Sequence, residues 1–93
     1  MKVSVKFLGH LREELGGEET YDLSGDPGPR RLEEILKELI QRRGETFARR
    51  IYDSPGRFNP HITVIIDGRA ILNDQAPVQD GSSILFITFV DGG

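Results

Sequence analysis

The chain has 93 residues, 37% hydrophobic and 29% charged, with 12 basic against 15 acidic side chains and a formal net charge of −3. This composition fits one globular domain and excludes a disordered chain, and without a basic excess nucleic acid is not an expected partner. Cysteine is absent, which excludes disulfides, thiolate metal sites and cysteine nucleophiles, and no run approaches the ~20 apolar residues that cross a bilayer, so a cytoplasmic protein with no membrane partner is expected.

Val3, Val5 and Phe7 alternate with Lys2, Ser4 and Lys6, the period of a half-buried strand. Gly9 interrupts it, and His10 to Leu15 fits a short helical turn before Gly16-Gly17. Glu18 to Leu23 reads as a second strand, antiparallel to the first, ended by Ser24-Gly25-Asp26-Pro27-Gly28-Pro29. Between Arg30 and Arg43, Leu32, Ile35, Leu36, Leu39 and Ile40 fall on one helical face, and Gly44 stands as terminator after two arginines that suit a helix C-terminus. Phe47, Ala48 and Ile51 extend a short helix toward Tyr52, followed by a turn at Asp53-Ser54-Pro55-Gly56. His61 to Asp67 and Arg69 to Leu72 form a hairpin through Asp67-Gly68. Asn73 to Gly81 reads as a polar crossover loop, Ser83 to Val90 as the last strand, and Asp91-Gly92-Gly93 as a tail. The order β–β–α–β–β–β predicts an α+β roll of the ubiquitin-like, β-grasp type: a single domain over 1–93, a mixed sheet with one main helix on one face, the first and last strands central, and a flexible Gly-Gly tail from Val90.

A sheet with one wet face alternates apolar and polar residues, yet Ile84-Leu85-Phe86-Ile87-Thr88-Phe89-Val90 barely does. With Ile84, Phe86 and Thr88 toward the helix, Leu85, Ile87 and Phe89 point away from it; parity adds Leu8, Ile65 and Ile71 from neighbouring strands. Either segment 45–60 folds over this face, or the face is a protein-docking patch. Three such side chains at ~1.5–3 kcal/mol each supply roughly 5–9 kcal/mol of burial, against ~4–15 kcal/mol for association, which suits an exchangeable complex.

The sequence closes on two glycines. Without β-carbons, Gly92 and Gly93 can enter a slot too narrow for a side chain, and the four residues from Val90 reach about 13–14 Å when extended. The reactive group is then the carboxylate of Gly93, a poor electrophile until joined to AMP as a mixed anhydride. The chain carries no nucleotide fingerprint, so an external ATP-using enzyme is required.

VSVKFLGHLREELGG, VIIDGRAILNDQAPVQDGSSILFITF and the terminal VDGG together resemble the MoaD/ThiS family of sulfur carriers and its archaeal ubiquitin-like modifier relatives. The resemblance spans about two-thirds of the chain and leaves out residues 41–60. It implies adenylation of Gly93 by a MoeB-like, ubiquitin-activating-type enzyme, conversion to a thiocarboxylate, and sulfur transfer to a precursor on a MoaE-like large subunit during molybdopterin synthesis. The chain is then the sulfur-carrying subunit of a molybdopterin synthase, not catalytic alone, with no permanently bound cofactor, no metal, and ATP used only by the activating enzyme. Gly93 bears the sulfur and Gly92 gives the narrow approach. Leu8, Ile71, Leu85, Ile87, Phe89 and Asp91 are the expected partner-binding residues, with Leu8, Ile71 and Ile87 at the family's patch positions. The tail departs from the family's usual pattern, with Thr88 and Phe89 where prolines commonly stand and Asp91 in place of a small residue. Thiamine or tRNA thiolation, and conjugation to lysines as a protein modifier, are the alternatives.

The other chemical candidates read as structural. Glu13-Glu14, Glu18-Glu19 and Glu33-Glu34 are neighbours whose side chains diverge, His10 and His61 are isolated, and Arg42, Arg43, Arg49 and Arg50 form a solvated cluster matched to a helix end.

Overall fold

The computed structural model describes residues 1–23, 25 and 28–88. Strand β1 spans Lys2–Leu8, helix α1 His10–Leu15 and β2 Glu18–Asp22. A short strand β3, Arg30–Arg31, precedes helix α2 at Leu32–Arg43, and helix α3 follows at Glu45–Ile51. The remaining strands are β4 Tyr52–Ser54, β5 Arg57–Phe58, β6 Ile62–Ile66, β7 Arg69–Ile71, β8 Pro77–Val78 and β9 Ser83–Thr88. The main sheet has the order β2-β1-β9-β6-β7, with β1 and β9 parallel at its heart and the other pairs antiparallel. This is the expected α+β, β-grasp roll.

Alternation along β1 buries Val3, Val5 and Phe7, and along β9 it buries Ile84 and Phe86. Against this face α2 sets Leu32, Ile35, Leu36 and Leu39, all buried, as the three- and four-residue spacing requires. The helix starts two residues later than its periodicity suggests, because Arg30 and Arg31 pair with Val78 and Pro77. That pairing brings main-chain carbonyls to the helix start: Ala76 and Asp74 accept the N–H groups of Leu32 and Glu33 at 2.8 and 2.7 Å. The crossover loop is therefore also a cap. Gly44, at φ +91°, ends α2 and opens α3.

Segment 45–60 lies on the helix side. Phe47 and Ile51 are fully buried, and the Phe47 ring meets Phe7 and Phe86 edge-on, with centroids 6.0 and 6.2 Å away. The prospect that this segment shields the opposite face is thereby overturned. The turn at Asp53-Ser54-Pro55-Gly56 is part of a small hairpin, β4 against β5.

The arginines divide. Arg42, Arg49 and Arg50 pair with Glu38, Glu45 and Glu14 at 2.8, 3.4 and 2.6 Å. Arg43 is not a solvated charge as expected. Its side chain is 18% exposed, and its guanidinium lies 5.2 Å from the Phe7 ring centroid. It donates to the Glu19 carboxylate at 2.9 Å, to the Tyr21 hydroxyl at 2.7 Å and to the Leu15 carbonyl. One cation thus ties the end of α2 to α1 and β2.

Tyr52 donates to the buried Asp74 carboxylate at 2.7 Å. Burial first, and then that carboxylate, hold the Tyr52 phenol protonated well above its ordinary range. Above about pH 10 an unfolded chain ionises this phenol while the folded one keeps its proton, so stability falls as pH rises. Tyr52→Phe should flatten the fall in urea midpoint between about pH 9 and about pH 11 relative to wild type, with Tyr21, also pushed up by burial, contributing equally to both curves. Parallel curves would mean that Tyr52 ionises as freely in the fold as outside it.

Candidate docking face and tail exit

The uncovered face of the sheet is set by register. Leu8 pairs with Ile87, which pairs with Thr63; one row along, Lys6, Leu85, Ile65 and Ala70 stand side by side. Because side chains alternate across a strand, these residues share the face opposite Phe7, Phe86 and Val64. Leu8, Ile65, Leu85 and Ile87 are each only partly buried, and together they make an apolar strip over the three central strands. Lys6 borders it, opposite Glu18, whose carboxylate accepts the Ser4 hydroxyl at 3.3 Å.

Ile71 is a correction. It pairs with Val64 in the same row as Phe86 and Phe7, so it packs toward the core rather than joining the strip. The two-residue Asp67-Gly68 turn, with φ +49° and +86°, fixes that register by placing Ile66 opposite Arg69. Counting back from the turn would have assigned Ile71 to the inner face. Its neighbour Leu72, 94% exposed, was not singled out by any pattern in the sequence. Ile71 and Leu72 line an open cleft of about 440 Å³ beside Phe58, Pro60 and Ile62.

At the end of β9, Thr88 turns inward, its hydroxyl bonded to the start of α1. Phe89, Asp91, Gly92 and Gly93 lie outside the described residues. Among the described residues no group of three or more His, Cys, Asp or Glu side chains is placed to hold a metal ion. No helix among them is long and apolar enough to cross a membrane. His10 faces Glu13 at 3.8 Å on the surface and His61 is exposed, so neither is built into a proton-transfer pair.

The ThiS family model matches residues 5–93. Among solved structures, small archaeal modifier protein 1 of Haloferax volcanii superposes with a TM-score of 0.75 at 22% identity, covering 100% of both chains. A Pyrococcus furiosus protein provisionally assigned as molybdopterin converting factor, subunit 1, gives 0.70 at 22% identity, covering 97% of this chain and 99% of its own. Small archaeal modifier protein 1 of Methanosarcina acetivorans gives 0.67 at 24% identity, covering 99% and 96%. At such identities the likeness establishes the fold. No curated protein matches the sequence. A match that takes in both the β-grasp sheet and the terminal glycines makes this chain a member of the ThiS family.

Proposed function

We propose that this chain carries sulfur for molybdopterin biosynthesis on the main-chain carboxylate of Gly93. The carboxylate attacks the α-phosphorus of ATP on a MoeB-like activating enzyme, giving an acyl-adenylate and pyrophosphate. Hydrosulfide from a sulfur donor then attacks the acyl carbon, AMP leaves with the C–O bonding pair, and the thiocarboxylate remains. A MoaE-like large subunit holds the precursor that takes the sulfur. Gly92 supplies the slim approach, ATP is used by the activating enzyme, and the carrier needs no resident cofactor. Leu8, Leu85 and Ile87 form the docking strip, and Phe89 and Asp91, next in the sequence, complete the partner-binding set. The observation that carries this reading is the open apolar strip ending beside Thr88, five positions before Gly93, in a chain of the ThiS family.

A second reading, conjugation of Gly93 to target lysines, is favoured by the likeness to two small archaeal modifier proteins. Delivery to thiamine or tRNA uses the same thiocarboxylate and differs in the acceptor. Tagged chain expressed in its native host separates these. The carrier for molybdopterin should co-purify with the large subunit and show no ladder of heavier adducts. A ladder of lysine-linked species, lost on deleting Gly92 and Gly93, with no large subunit retained, would overturn the molybdopterin assignment in favour of the modifier.

A further inference from the structure

We infer that Gly9 and Thr88 form a clamp that fixes the direction in which the chain leaves β9, making Thr88 a positioning residue for activation of Gly93; this rests on the carrier reading above. Gly9 has φ +72°, and a β-carbon there would lie 2.1 Å from the Thr88 carbonyl oxygen and 2.9 Å from Thr88 Oγ1. The turn from β1 into α1 therefore rides with its backbone directly on the end of β9. Gly9 is the N-cap of α1, where a Ser, Thr, Asp or Asn side chain ordinarily accepts a first-turn N–H. There is no space for such a side chain here. Thr88 supplies the missing acceptor from the other end of the sequence: its Oγ1 accepts the Leu11 N–H at 3.2 Å and donates to the Leu8 carbonyl at 3.5 Å. A single hydroxyl is thus bonded on both sides of Gly9, and the β-branch of threonine restricts its rotamer.

The consequence is geometric. A partner grips the domain through Leu8, Leu85 and Ile87, while the reacting carboxylate is five residues past Thr88, a reach of about 17 Å when extended. Any looseness in the backbone at Thr88 is carried along that reach. It lowers the fraction of bound complexes with the carboxylate aligned on ATP, a loss in turnover and not in docking.

The test compares wild type, Thr88→Val and Thr88→Ser by amide hydrogen exchange and by pyrophosphate release with the MoeB-like enzyme. Valine keeps the branch and removes the hydroxyl; serine keeps the hydroxyl. In Thr88→Val the Leu11 amide should lose its protection and kcat should fall about tenfold at unchanged KM, with serine restoring both. Undiminished Leu11 protection in Thr88→Val would refute the clamp, whatever the protein's function. Lost protection with wild-type kcat, or a rise in KM alone, would refute the positioning role. An inert wild-type chain would contradict the carrier reading and the positioning role with it, while the Leu11 amide would still report whether the clamp exists.

Discussion

Ile87→Glu is expected to weaken binding to both the activating enzyme and the large subunit by at least about 100-fold while leaving the domain folded. Ile87 stands between Leu8 and Thr63 on the outward face, partly exposed, so a carboxylate there remains in water in the free domain. Docking would strip that water from a charge set on an apolar floor. The penalty for an unpaired buried carboxylate is several kcal/mol, and each ~1.4 kcal/mol is tenfold in affinity. Lys37→Glu, an exposed change on α2 across the sheet from the strip, should leave binding unaffected. Calorimetry of the three proteins against either partner decides it. Equal affinities for Ile87→Glu and wild type would place the docking surface elsewhere.

The largest stability effect is expected at Phe47. Its ring is fully buried between Phe7 and Phe86, with the Arg43 guanidinium 5.7 Å from its centroid. Phe47→Ala removes the anchor of α3 and leaves a hole among rigid rings, a change that costs about 3–5 kcal/mol. For a domain of this size the whole stability is of the order of 5–14 kcal/mol, so the variant should unfold at much lower urea concentration. A loss below about 1 kcal/mol would mean that α3 is not docked on the sheet as described. The comparison also checks the conclusion drawn from this helix, that segment 45–60 leaves the apolar strip of Leu8, Ile65, Leu85 and Ile87 open.

The fold was legible wherever one local rule acted alone. The alternation of β1, the apolar stripe of α2 and the Asp67-Gly68 hairpin each state their element in the residues themselves, and the parallel β1–β9 pair follows from the roll they imply. The failures come from long-range partners. Arg30 and Arg31 look like the start of a helix until Val78 and Pro77 pair with them. Arg43 looks like a helix-end surface charge, and becomes a half-sunk tie only because Glu19, Tyr21 and Leu15 converge on it from two other elements. Of the proposed strip, Leu8, Leu85 and Ile87 fall together as parity predicts. Ile71 does not, because its face depends on the register of the hairpin turn and not on β7 itself. The role of Gly9 was invisible in the sequence: an interrupting glycine gives no sign that the backbone of Thr88, 79 positions later, occupies the space of its side chain.

The most direct measurement is the intact mass of the full chain after incubation with its activating enzyme, ATP and a sulfide donor. The expected product is heavier by one sulfur-for-oxygen exchange, absent without ATP and absent in the chain lacking Gly92 and Gly93. An unchanged mass with every cognate activating enzyme, or the same exchange in the chain without those glycines, would contradict the carboxylate of Gly93 as the reactive group.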